Sequence, residues 1–139
     1  MPISNKQCEE KSFLNKIIGY KNIYSTLNSV TVLEDAYVAI LDMIKHKKHG
    51  IVNLVEPDPI THREILEMYQ NTIDPRHCVN YVDESMHNST LVKAKRSKNV
   101  MSTKHLKEML SPEVWDRCYA HRNTKDKIKQ IFESWAPKL

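Results

Sequence analysis

Apolar residues recur at three- and four-residue spacing over several stretches of the chain. The strongest is Leu33, Ala36, Tyr37, Ile40, Leu41 and Ile44. This spacing predicts a helix over 34–48, because such a stripe lies along one face of a 3.6-residue turn. Glu34 and Asp35 at its start and Lys45-His46-Lys47-Lys48-His49 at its end complement the helix dipole. Gly50 follows, where a left-handed cap is expected. Phe13, Leu14, Ile17 and Ile18 predict an earlier helix within 9–20 that closes near Gly19. Thr61-His62-Arg63-Glu64 is a capping box flanked by Ile60 and Ile65, the positions of a hydrophobic staple. That helix runs on through Leu66, Met68, Tyr69 and Ile73 and stops at Asp74-Pro75, since proline disfavours helix at the residue before it.

Three more helices are predicted near the carboxy terminus. Ser102 or Thr103 opens a short one carrying Leu106, Met109 and Leu110. Ser111-Pro112-Glu113 opens the next, with proline at the first helical position, followed by Val114, Trp115, Cys118 and Tyr119. Thr124 is the expected cap of the last, which turns Ile128, Ile131, Phe132 and Trp135 inward.

The β signals are shorter. Ile51-Val52-Asn53-Leu54-Val55 is a strand-like run stopped by Glu56-Pro57-Asp58-Pro59, and Cys78 to Val82 is a second candidate. Residues 1–8 read as an extended lead-in. Residues 21–33 alternate loosely and fit either loop or short strand, with a turn-like pair at Asn28-Ser29. Asp83-Glu84-Ser85 is a place where a short helix can open, and 93–101 reads as a basic loop. The expected fold is α/β and mostly helical, without the five or more buried strands of a complete doubly wound sheet.

Composition narrows the chemistry. In 139 residues there are only two glycines, Gly19 and Gly50, 31 positions apart; average usage of about 7% would give roughly ten. A dinucleotide fingerprint needs three closely spaced glycines, and a P-loop needs two with lysine after the second. Neither loop is encoded here. The net charge is +4 and the pI near 8.9, which permits phosphate, acidic or nucleic-acid partners without requiring them. Cys8, Cys78 and Cys118 are odd in number and widely spaced, which predicts free thiols and a reducing, cytoplasmic setting rather than a disulfide scaffold. No apolar run approaches the ~18 residues of a membrane span, and Met-Pro-Ile-Ser-Asn-Lys is not a signal peptide.

No catalytic or metal-binding constellation stands out. His46 and His49 share a helix face, but no third ligand follows at a standard spacing and the neighbouring lysines repel a cation. His62-Arg63-Glu64 is not a His-Glu-x-x-His motif, and capping accounts for its glutamate. Cys78 follows His77, but neighbours in a strand point to opposite faces. The nucleophile elbow Gly-x-Ser-x-Gly is absent. Lys93, Lys95, Arg96 and Lys98 form the densest basic loop, readable as a phosphate site or as a solvated charge run. Arg96-Ser97-x-Asn99 is more pointed, because a cation beside two neutral hydrogen-bonding groups suits a sugar phosphate. Nucleic acid is the weaker reading, since no aromatic residues interleave with the basic ones.

Taken in order, several stretches resemble a known family. They are Met-Pro-Ile-Ser (1–4), Phe-Leu-x-Lys-Ile-Ile-x-Tyr (13–20), Asn-Ser-Val-Thr-Val-Leu (28–33), Gly-Ile-Val-Asn (50–53), Ile-Thr-His-Arg-Glu-Ile-Leu-Glu-Met-Tyr (60–69), Ile-Asp-Pro (73–75) and Ala-x-Arg-Ser-x-Asn-x-x-x-Thr-x-x-Leu (94–106). Together they resemble the carboxy-terminal, substrate-binding half of the rhamnose-synthase UDP-4-keto-6-deoxyglucose 3,5-epimerase/4-reductases. Those enzymes are similar to dTDP-4-dehydrorhamnose reductases, within the extended short-chain dehydrogenase/reductases. The resemblance covers 1–110, expected to form a substrate-binding subdomain, and leaves 111–139 as a helical extension.

The resemblance implies an NADPH-dependent reduction of a 4-keto-6-deoxyhexose nucleotide to UDP- or dTDP-rhamnose. In such enzymes a Rossmann half binds NADP(H), and a Tyr-x-x-x-Lys pair supplies the proton. Here the residue four after each tyrosine is Tyr24, Asn28, Leu41, Ile73, Ser85 or Asn123, never lysine. The chain alone is therefore expected to hold no catalytic residue, to bind no cofactor and to be inactive. It is expected to be a fragment, a split-gene product or a repurposed module, one that pairs with a missing Rossmann half or self-associates through its lead-in and first helices. Carried over by the resemblance, Pro2, Ile3 and Ser4 border the nicotinamide end of the cleft, and Asn28, Ser29 and Thr31 line the sugar-nucleotide pocket. Arg96, Ser97 and Asn99 contact phosphates or sugar; Lys95 stands where the family has proline. The competing readings are a non-catalytic nucleotide-sugar or protein-binding module and a basic nucleic-acid-associated helical protein.

Overall fold

A computed structural model of the chain describes residues 1–7, 10–83 and 98–137. Short strands alternate with helices through the first two thirds, and helices follow. Strand β1 (Pro2–Ile3) leads to helix α1 (Phe13–Ile18), whose cap is Ser12: its hydroxyl accepts from the Asn15 amide. Next come β2 (Asn22–Tyr24), β3 (Leu27–Asn28), β4 (Thr31–Val32) and helix α2 (Leu33–Lys45). Strand β5 (Ile60–Thr61) enters helix α3 (His62–Thr72), and β6 (Asn80–Val82) follows. The carboxy-terminal helices are α4 (Lys104–Met109), α5 (Pro112–Trp115), a π turn at Asp116–Ala120, and α6 (Thr124–Trp135).

Among the described residues the strands form three separate pairs. β1 runs parallel to β4 with Pro2 opposite Thr31, β2 parallel to β6 with Asn22 opposite Asn80, and β3 antiparallel to β5 with Asn28 opposite Ile60. The α/β, mostly helical character read from the sequence is present, with helix over about 47% of the described residues.

The capping box at α3 forms as its residues require. Thr61 Oγ1 accepts from the Glu64 amide at 3.2 Å, and the Glu64 carboxylate accepts from the Thr61 amide at 2.9 Å. Ile60 and Ile65 are both fully buried beside it. Helix α6 lies against α3, placing Phe132 edge-on to Tyr69 at 5.5 Å and Trp135 edge-on to Phe132 at 5.3 Å. Ile128, Ile131, Phe132 and Trp135 share one core with Ile3, Leu14, Ile17, Ile60, Ile65 and Leu66. A second core joins Ala39 to Leu106, Leu110, Cys118 and Tyr119.

A buried ionic cluster ties the last helix to the middle of the chain. Lys127 of α6 is 2% exposed. Its ammonium donates to the Glu56 carboxylate, to the Cys118 carbonyl and, at 2.8 Å, to Asp35 Oδ2. Burial pushes the Glu56 carboxyl up, against the pull of Lys127.

Several expectations need correction. The end of α2 is closed by Lys47, not Gly50: Lys47 takes the left-handed conformation (φ 51°), so that its amide and that of Lys48 reach back to Ile44 and Met43. Gly50 also has positive φ, and a Cβ there would lie 2.8 Å from Met109 Cε. The cap of α6 is Asn123, whose Oδ1 accepts from Asp126; Thr124 instead donates to the Asp58 carbonyl at 2.7 Å. Ile51–Leu54 joins none of the three ladders: the chain here is tied to the β4 region by the Thr31 hydroxyl, which donates to the Leu54 carbonyl at 2.7 Å, and by the Glu56 amide, which donates to the Val30 carbonyl, without pairing as a strand.

The apolar stripe of α2 also faces the other way. Tyr37, Ile40, Leu41 and Ile44 are exposed, and the buried side consists of Ala36, Ala39 and Asp42. Among the described residues the exposed large hydrophobics lie on α2 and at Tyr20, Leu27, Ile51, Val100 and Met101, whereas Ile3 and the Leu14 and Ile17 positions of α1 are core.

Candidate functional site

A cavity of about 680 Å³ opens between α1, the β2–β3 region, the start of α3 and the segment 98–101. Its floor is apolar, with Phe13, Ile17, Ile23, Val55 and Met101, and its polar lining includes Lys16, Asn22, Asn28, Ser29, His62 and Asn99. That is the usual makeup of a small-molecule site: mostly apolar wall with a few placed polar groups.

The polar atoms of Asn28 and Ser29 are largely committed. Asn28 Nδ2 donates to the Thr26 carbonyl at 3.2 Å, and its Oδ1 accepts from the Asn99 amide at 3.1 Å. The Ser29 amide donates to the Asn99 carbonyl at 2.7 Å, and Ser29 Oγ accepts from the Met101 amide at 2.9 Å. Both residues are buried. They form a clamp that holds the 99–101 strip as one wall, across roughly seventy positions of sequence.

The other sequence-read residues separate. Asn99 lines the cavity through that clamp. Thr31 does not line it: it pairs with Pro2 in the β1–β4 ladder, and its hydroxyl donates to the Leu54 carbonyl at 2.7 Å. Pro2, Ile3 and Ser4 stand outside it as well. Pro2 is held in the ladder, Ile3 is 1% exposed in the core, and Ser4 Oγ accepts from the Lys6 amide at 3.1 Å. Arg96 and Ser97 lie outside the described residues. His46, weighed above as a metal ligand, has its Nδ1 2.9 Å from the Asp42 carbonyl and 3.3 Å from the Asp42 carboxylate.

His62, Lys16, Asn22 and Met101 line the cavity although composition and motif spacing pointed to none of them. His62 is the first residue of α3, and its Nδ1 lies 3.0 Å from the Tyr24 carbonyl. Burial holds the imidazole below its ordinary pKa, opposed by that carbonyl. The Phe13 ring packs on it at 5.6 Å and 41°. The available signal was the capping box itself: a histidine just after the cap, next to a strand, is brought to the strand's backbone.

No family model matches the chain. It is 33% identical over 93% of its length to protein L780 of Acanthamoeba polyphaga mimivirus. The crystal structure of that virus's L780 UDP-rhamnose synthase superposes with a TM-score of 0.80 at 25% identity, over 96% of this chain and 43% of that one. The chain is a homologue of the rhamnose synthases, matching their carboxy-terminal half. Two Arabidopsis thaliana relatives agree. The trifunctional UDP-glucose 4,6-dehydratase/UDP-4-keto-6-deoxy-D-glucose 3,5-epimerase/UDP-4-keto-L-rhamnose-reductase RHM2 is 35% identical over 80% of this chain. The bifunctional dTDP-4-dehydrorhamnose 3,5-epimerase/reductase is 33% identical over 77%. This rhamnose-synthase homologue spans 17% of the first, 35% of the second and 44% of L780, less than half of each. The superposition extends past residue 110, since 111–139 is far more than the uncovered 4% of the chain.

Proposed function

We propose that this chain is the nucleotide-sugar-binding part of an NADPH-dependent reductase that makes a rhamnose nucleotide, on the substrate half of an extended short-chain dehydrogenase/reductase. The observation that carries the reading is the Asn28–Ser29 clamp, which builds a cavity wall from residues of two stretches that resemble the rhamnose synthases. The apolar floor suits a base and a deoxyhexose, and Lys16 places a cation on the lining for phosphate.

The residues described here do not fit NADP(H). Gly19 caps α1 and Gly50 abuts Met109, so neither belongs to a phosphate-binding loop, and Ile3 is enclosed in the core. In this reading the chain binds and orients the substrate, while hydride and proton delivery belong to the remaining length that its relatives possess. The outward stripe of α2 and the exposed Ile51 beyond it are the surfaces that this remaining part covers, since it must supply an apolar face.

Isothermal titration with UDP-rhamnose and with dTDP tests the reading. Saturable binding at micromolar concentration, with no NADPH oxidation by the chain alone, is expected. Failure to bind either ligand, together with tight RNA binding, overturns the substrate assignment. Robust NADPH oxidation by the purified chain overturns the division of labour.

A further inference from the structure

We propose that the Nε2 lone pair of His62 is the hydrogen-bond acceptor that reads the imide N–H of a uracil-type base; this rests on the reading of the cavity as a nucleotide-sugar site. A carbonyl oxygen can only accept, so the 3.0 Å contact with the Tyr24 carbonyl places the ring proton on Nδ1. Nε2 is then a bare lone pair. Among the described residues it has no partner, although the ring lines the cavity.

The ring is held rather than free to turn. The Phe13 side chain packs on it. The start of α3 is fixed by the capping box, and the next amide, of Arg63, donates to Ser25 Oγ at 3.0 Å. Burial favours the neutral ring, which keeps the lone pair available near neutral pH.

A complementary donor lies on the same cavity. Asn22 Oδ1 accepts from Asn80 Nδ2 at 3.0 Å, which leaves the Asn22 amide nitrogen to donate. Asn22 and His62 are brought together by one strand, because His62 is bonded to the backbone of Tyr24 at the other end of β2. An acceptor and a donor lining one cavity match an imide edge, where an N–H is flanked by carbonyl oxygens. A cytosine edge presents its ring nitrogen as an acceptor and would set one lone pair against another. Buried polar groups left unpaired in this way are what give a binding site its selectivity.

The test is calorimetric titration of the full 139-residue chain with UDP, N3-methyl-UDP and CDP. UDP is expected to bind about tenfold more tightly than either analogue. In His62→Leu the three affinities should converge to within about twofold, because UDP loses its acceptor and N3-methyl-UDP does not. His62→Gln, which can return a carbonyl oxygen to the Nε2 position, should regain part of the preference. Equal binding of UDP and N3-methyl-UDP by the unmodified chain overturns the role of His62 and leaves the nucleotide site standing; this comparison needs no variant to fold. An undiminished UDP preference in His62→Leu also overturns it. Absence of UDP, dTDP and UDP-rhamnose binding overturns the site and the inference together.

Discussion

Helices α2 and α6 are both amphipathic, yet they end in opposite states. Ile128, Ile131, Phe132 and Trp135 of α6 are at most 8% exposed, and Lys127 on the same helix is buried with them. Tyr37, Ile40, Leu41 and Ile44 of α2 are 38–67% exposed. Helix α6 has its partner within the chain, in α3 and in the carboxylates of Asp35 and Glu56. Helix α2 buries Ala36, Ala39 and Asp42, packs Val38 and Met43 beside the second core, and leaves Tyr37, Ile40, Leu41 and Ile44 in water. Apolar periodicity thus tells that a face must be covered, but not whether the cover is encoded in the same stretch of polypeptide. The run Ile51–Leu54 repeats the lesson for a strand: its tie to β4 runs through the Thr31 hydroxyl and not through a backbone ladder, so β-prone residues alone make no strand pair.

This contrast can be broken most severely at Lys127. Lys127→Met leaves Glu56 and Asp35 without their shared cation in a buried setting, and urea unfolding should show a loss of about 3–5 kcal/mol. Adding Glu56→Gln should recover part of it, because one of the stranded carboxylates is then neutral.

Next in size is the link between α2 and α5. Asp42 accepts from the Ser111 amide at 2.8 Å and from Ser111 Oγ at 2.9 Å. Asp42→Ala should cost about 2 kcal/mol, the loss expected for hydrogen bonds to a charged group. Burial raises the Asp42 carboxyl, but the Ser111 bonds, His46 and Lys45 outweigh it and the net shift is downward. A depressed carboxyl contributes stability above its unfolded pKa, near 4, and loses it as pH falls through the folded value. Denaturant midpoints measured from pH 6 to pH 2 should therefore fall less steeply in Asp42→Ala.

A smaller effect is expected at the head of α3. Thr61→Ala should cost about 1 kcal/mol by urea unfolding, the ordinary value of a side-chain cap. Glu64, lowered by its hydrogen bond to Lys125 and by the Thr61 amide, adds to the same acid limb with the same sign. Glu64→Gln should flatten that limb slightly.

The smallest stability change belongs to the exposed side. Replacing Leu41 and Ile44 together by lysine should alter stability by no more than about 0.5 kcal/mol. In light scattering the unmodified chain should associate more than this variant, because an uncovered apolar stripe favours association. Unchanged association would place the sticky surface elsewhere.

Legibility followed the range of the interactions. The capping box with its Ile60 and Ile65 neighbours and the proline starts and stops were readable because each depends on residues within one or two turns. The cap of α6 was misplaced by one residue, since Thr124 is drawn away by the Asp58 carbonyl 66 positions earlier. Ile51–Val55 was read as a strand on composition, and composition cannot supply a partner. Of the residues lining the cavity, Asn28, Ser29 and Asn99 were named through the resemblance, whereas His62 and Asn22 were not named as site residues. Their chemistry arises only when β2 meets the start of α3.

The amino-acid order by itself determined the helices, their caps, the absence of a glycine-rich phosphate loop and the likeness to rhamnose synthases, all of which rest on local spacing. Tertiary structure decided which apolar face turned inward, that one buried lysine pairs with the Glu56 and Asp35 carboxylates from 71 and 92 positions away, and which nitrogen of His62 keeps its proton. Those outcomes depend on distances between segments remote in sequence, and side-chain packing and hydrogen-bond geometry set such distances only once the chain has closed on itself.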